Sequence, residues 1–146
     1  MMSKSIFLEE GFIKITKAIT KGLNMQILSA QSNKRLEEDL KSDWVKGYVY
    51  GYVNSLYQIS AYADYEEGIF FMVTAVYGNL GIEEQKENTS DYRDFLEDIH
   101  NKLDQKNNDL YRGYEKALND IIYNTKNRDN KSEGQKVSLT KYLLAK

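Results

Sequence analysis

The chain of 146 residues contains no cysteine and no proline, one histidine and one tryptophan. Without cysteine there can be no disulfide, no thiolate zinc site and no cysteine nucleophile. Without proline nothing in the sequence forces a helix to break, so long helices are permitted although not dictated. The single histidine, His100, allows one imidazole base per chain, and no Gly-x-Ser-x-Gly elbow accompanies it. Neither a Walker A sequence nor a Gly-x-Gly-x-x-Gly fingerprint is present. The longest apolar run, Ile69 to Tyr77 with Thr74 inside it, falls far short of the ~20 residues a membrane span requires. Met1 to Glu10 reaches two glutamates before the apolar core of a secretory signal can develop. The expected address is therefore the cytoplasm, with no membrane contact.

What is present suits a folded domain: 41% hydrophobic and 29% charged residues, enough for a core and a solvated shell. The net charge of −2 hides a strong asymmetry. Residues 1–35 carry six Lys/Arg against two Glu, residues 36–125 carry eight against eighteen Asp/Glu, and residues 126–146 carry six against two. An acidic body disfavours duplex nucleic acid as a partner, because phosphate contact needs a cationic face. Only the basic ends leave a nucleic-acid reading open.

Periodicity predicts helices. Leu8, Phe12, Ile15, Ile19, Leu23 and Ile27 lie three and four apart, as one face of a helix requires. A β-hairpin over residues 12–28, turning at Lys21-Gly22, is the alternative. Asn33 to Leu40 reads as a short polar helix or linker. Ser42 is placed to cap a helix from Asp43 to about Ala61, with Val45, Tyr48, Val49, Tyr52, Val53, Leu56 and Ile59 on its core face. Asp64 and Glu67 fit a capping box opening a second helix. Ile69, Met72, Val73 and Val76 make its stripe, Phe70, Phe71, Ala75 and Tyr77 make it apolar all round, and Gly78 and Gly81 end it. A helix apolar on every side is expected to be buried on most sides. Tyr92 to Ile121 follow one face, as one long helix or as two meeting at Asn107-Asn108. The expected fold is an all-α, single-domain bundle of five or six helices around a central αα-hairpin, residues 43–78. A helical domain over 1–125 would be followed by a flexible basic segment, 126–146, in which Val137 to Leu144 form either a short terminal helix or a docking peptide.

Two constellations could carry function. Glu97 and His100 have the Glu-x-x-His spacing of carboxylate-bundle metal sites, with Asp104 one turn on. Such sites need two of these motifs, and a symmetric dimer would be required to supply the second. Paired carboxylates at Glu66/Glu67 and Glu83/Glu84 fit caps and loops better than general acid-base work. The denser feature is aromatic. Trp44, Tyr50 and Tyr57 fall off the core stripe and flank Gly47, Gly51 and Ser55, which repeat every four residues. Glycine costs ~1 kcal/mol against alanine inside a helix, so two in register predict close approach by a neighbouring backbone or a ligand. Tyr and Trp are enriched at interface hot spots. The plain alternative is a central helix packed on both sides, using tyrosine as filler.

The segment Gly47-Tyr48-Val49-Tyr50-Gly51 resembles the central helix of small exported bacterial immunity proteins that neutralise amidase toxins. The resemblance covers at most a tenth of the chain, the cysteines and export signal of that group are absent, and no family is assigned on it. The expectation is a non-catalytic bacterial protein-binding module (an adaptor, inhibitor or immunity-type protein, able to self-associate) using Trp44, Gly47, Tyr50, Gly51 and Tyr57, with no cofactor. A metal-dependent helical bundle around Glu97, His100 and Asp104 is the first alternative, and nucleic-acid association through the basic termini the second.

Overall fold

Caps and turn residues set where the helices begin and end. The computed structural model describes residues 10–64, 66–82, 89–128 and 135–145, and these contain seven helices and no strand. They are α1 (Glu10–Leu28), α2 (Leu36–Asp39), α3 (Asp43–Gln58), α4 (Glu66–Leu80), α5 (Thr89–Gln105), α6 (Asp109–Lys126) and α7 (Ser138–Leu144). Helix, not hairpin, runs through residues 12–28. Phe12, Ile19, Leu23 and Ile27 are buried on it, as the spacing predicts.

Ser42 caps α3 by accepting from the Val45 backbone N–H. Asn108 does the same for α6, accepting from Tyr111 N–H at 2.9 Å. The Asn107-Asn108 pair therefore marks a true break, made by Lys106 in the left-handed region (φ 59°). Gly81, with φ 73°, ends α4. Its N–H reaches the Gly78 carbonyl and the next N–H, of Ile82, reaches Tyr77, which is a Schellman closure. Gly78 does not end the helix as the sequence suggests; it lies inside it. The capping box expected at Asp64–Glu67 falls partly outside the described residues, and Leu8, the first residue of the expected α1 stripe, lies outside them.

The expected hairpin of α3 on α4 exists, but α3 makes its most extensive contact with α6. Glycine is the reason. A Cβ placed at Gly47 would overlap the Leu110 carbonyl, and one at Gly113 would overlap the Trp44 carbonyl. One turn further, a Cβ at Gly51 would sit 2.7 Å from the Tyr114 carbonyl oxygen and 3.2 Å from Ala117 Cβ. Small residues on both helices thus bring two backbones into contact. Around this pair α3 is enclosed on several sides, with Val45, Tyr48, Val49, Tyr50, Val53 and Tyr57 all buried. Ile59, expected on the core face, is the C-cap residue and is exposed.

The described part of the C-terminal segment, residues 135–145, docks on the bundle. Lys136 exchanges two hydrogen bonds with Asn124, and α7 packs on α1 and α6 with Leu139 and Leu143 buried. Burying two leucines is worth about 1.5–3 kcal/mol each, which offsets the ordering of seven residues in part. Among the described residues no helix is long and apolar enough to cross a membrane.

Candidate functional site

The predicted aromatic face lies mostly indoors. Gly47 and Gly51 are covered by α6 of the same chain. Tyr57 is 1% exposed and donates to the Tyr62 carbonyl at 2.5 Å, with its ring over Gly68. Tyr50 is 7% exposed; its hydroxyl meets His100 Nε2 at 2.7 Å. Trp44 is half-buried, sandwiched between Tyr48 and Tyr142 with ring centroids at 5.3 and 4.1 Å. The close approach that the glycines predict is real, but the neighbour is α6. In this chain the five residues do not make an open face, because α3 is central and packed on more than one side.

The metal alternative fares no better in geometry. Glu97, His100 and Asp104 are all exposed. Among the described residues no three His or acidic side chains gather closely enough to hold an ion. His100 Nε2 is engaged by Tyr50. The side chains of Glu66, Glu67, Glu83 and Glu84 lie outside the described residues.

Two sites emerge that the sequence did not point to. The first is an apolar groove of about 320 Å³ between α1 and α4. Phe12, Ile13, Thr16 and Lys17 line one wall, and Phe71, Ala75 and Asn79 the other. Phe12 forms its floor, while Ile13 and Phe71 are 38% and 36% exposed at the rims. Phe71 is braced edge-on by Phe70, centroids 4.9 Å apart. The sequence reading buries α4 on most sides; instead Phe71, Ala75 and Asn79, one turn apart each, face outward. Lys14, Lys17 and Lys21 are exposed along α1, and among the described residues only Lys14 of the three is ion-paired, to Glu10 at 3.4 Å. An apolar trough with a cationic edge is the result.

The second is a buried polar hub. Asp120 on α6 is 1% exposed, and among the described residues no Lys or Arg pairs with it. Its carboxylate accepts instead from the Tyr48 hydroxyl at 2.7 Å, from Ser138 N–H at 3.0 Å and from Ser138 Oγ at 2.7 Å. Gln26 completes the hub. Its Nε2 donates to Tyr48 Oη at 3.2 Å, and its Oε1 accepts from the N–H groups of Leu139 and Thr140. Burial, and next the bond to Asp120, hold the Tyr48 phenol far above the usual tyrosine range. Burial likewise pushes Tyr50 up to about 12, with Tyr114 adding to it. No described buried side-chain polar atom is left without a partner, as a stable interior requires. Sequence alone offered one weak signal for the hub: a glutamine and an aspartate, Gln26 and Asp120, on otherwise apolar faces.

Comparison with protein-family models, with curated proteins and with solved structures finds no match.

Proposed function

We propose that this chain is a non-catalytic protein-binding module, of the adaptor or inhibitor kind, and that the α1–α4 groove is its binding face. One observation carries the reading: two large apolar side chains, Ile13 and Phe71, stand exposed on either side of a trough floored by Phe12. Exposed apolar residues scattered singly mean little, whereas a contiguous apolar trough between two helices suits an amphipathic helix laid along it. Charge complementarity selects the occupant. Lys17 lines the groove and Lys21 lies one turn beyond it, both without an ion-pair partner among the described residues. The favoured ligand is therefore a partner's helix with apolar residues at i, i+3 and i+4 and a carboxylate facing Lys17. Such a pair at an exposed rim adds association rate and specificity more than affinity.

Photo-crosslinking in the native host tests this, with the reactive group at position 13 or 71 and a control at exposed Lys116 on α6. A single protein captured from 13 and 71 but not from 116, rebound by the purified chain, supports the reading. The expected losses are at least ten-fold in affinity for Phe71→Ser, the scale of a central apolar contact, and a weaker salt dependence for Lys17→Glu. Equal capture from all three positions, or unchanged binding by Phe71→Ser, removes it. Capture of a second copy of the chain would replace the partner helix with self-association.

A further inference from the structure

We infer that the cleft lined by Gln26, Trp44, Tyr48 and Asp120 is a peptide-recognition site in its own right, filled in this chain by residues 138–144 as an intramolecular ligand. It is separate from the α1–α4 groove and stands or falls independently of it. The resident segment is read almost atom by atom. Ser138 gives its N–H and Oγ to Asp120; Leu139 and Thr140 give their N–H groups to Gln26 Oε1. Thr140 Oγ1 donates to the Gln26 carbonyl at 2.7 Å. Tyr142 stacks on Trp44 with rings 3° from parallel, and its hydroxyl reaches Ser42 Oγ at 3.3 Å. Asn33 Nδ2 donates to the Leu143 carbonyl at 2.8 Å. Leu139 and Leu143 fill the apolar positions with no exposure.

Electrostatics distinguish this from ordinary packing. Asp120 is a buried carboxylate without a described cationic partner, and two of its three donors belong to the segment. An empty cleft would leave that charge with Tyr48 alone, and an under-satisfied buried charge is strongly unfavourable. The cleft is thus built to be filled rather than to stand vacant. A partner displaces residues 138–144 by bringing the same donors: a short helix of pattern Ser-Leu-Thr-x-Tyr-Leu, with x free because Lys141 points to solvent.

The test uses the full chain and a fluorophore-labelled synthetic peptide of residues 136–146. Tethering gives the resident segment an effective concentration of about a millimolar, so the wild-type protein should resist the peptide below that level. The Leu139→Asp/Leu143→Asp variant undocks its own segment and should bind the peptide with a half-saturation at least ten-fold lower. Trp44, the only tryptophan, reports the refilled stack, and peptide anisotropy gives a second reading. Adding Asp120→Asn should weaken capture about ten-fold, the scale of a lost charge-assisted hydrogen bond. A variant that keeps its far-UV circular dichroism yet ignores the peptide overturns the proposal. Should the double variant unfold, Tyr142→Ala, which loosens the segment by removing the stack on Trp44 and the bond to Ser42, takes its place. If Tyr142→Ala competes no better with free peptide than the wild type does, the segment is simply part of the core and the proposal is wrong.

Discussion

At the scale of single residues, the glycines separate into those that hold helices together and those that do not. Gly47 and Gly113 face each other's helix backbones, and a methyl group at either has only main chain to displace. Gly47→Ala should therefore destabilise by about 3 kcal/mol, at the upper end for an overpacked contact. Gly78 is the contrast: it is exposed in α4 with nothing near it. Gly78→Ala should stabilise by about 0.5 kcal/mol through helix propensity alone. Combining Gly47→Ala with Gly113→Ala should cost less than the two single changes summed, because the first Cβ already forces the helices apart. Urea unfolding of the wild type and the four variants checks all of this, and a neutral Gly47→Ala would show that α3 and α6 are not in backbone contact. The spacing of Gly47 and Gly51 made the close approach legible in the sequence. It could not name the neighbour, since Leu110 and Gly113 lie 63 and 66 residues downstream of Gly47 and their own helix gives no sign of which face they meet. Tyr50 and Tyr57 were misread for the same reason. A helix packed on by α1, α4 and α6 buries residues on several sides, so its main apolar stripe does not mark the limit of the core.

At the scale of elements, the local signals that worked were caps and stripes. Ser42 before α3, the apolar spacing of α1 and the break at Asn107-Asn108 were each readable because their causes lie within a few residues. Asn108 does two things at that break: Oδ1 accepts from Tyr111 N–H to open α6, and Nδ2 donates to the Lys102 carbonyl at 2.8 Å, near the end of α5. Asn108→Ala should lose about 1–2 kcal/mol, since a cap is normally worth ~1 and here a C-terminal carbonyl loses its partner as well. Asn108→Asp keeps the cap but has no donor for Lys102, so it should fall between alanine and wild type. Thermal unfolding of the three proteins distinguishes this from a simple cap, for which aspartate would match asparagine. The elements that were not readable are those whose causes are distant. Residues 137–144 are legible as a short helix or docking peptide, but not where they dock, because that depends on Gln26 and Asp120, 113 residues from Leu139 and 18 from Ser138. The groove was missed because α4 looks uniformly apolar; only the assembled bundle decides which of its faces is left over.

At the scale of the whole molecule, a tyrosine-rich interior makes stability depend on pH in an unusual range. Tyr48, Tyr50, Tyr52 and Tyr57 all have phenols raised above the ordinary value of 10.0, first by burial. The ionised form is therefore disfavoured in the folded chain. As pH rises past 10, unfolded tyrosines release protons that the folded ones keep, so the unfolded state gains and stability falls. Each tyrosine so held contributes a slope of about 1.4 kcal/mol per pH unit between its unfolded and folded values. These tyrosines should add no pH dependence from neutrality to about pH 9, where they are protonated in both states. A decline should then begin near pH 10, with Tyr50 contributing up to about 12. Tyr50→Phe removes one such titration while keeping the ring against Tyr114 and His100. Its denaturation midpoint should fall less steeply above pH 10 than that of the wild type, whatever its stability at neutrality. Parallel declines would mean that Tyr50 ionises as freely folded as unfolded, and hence that α3 opens to solvent there. That outcome would return Tyr50 to the surface, where the sequence alone had placed it.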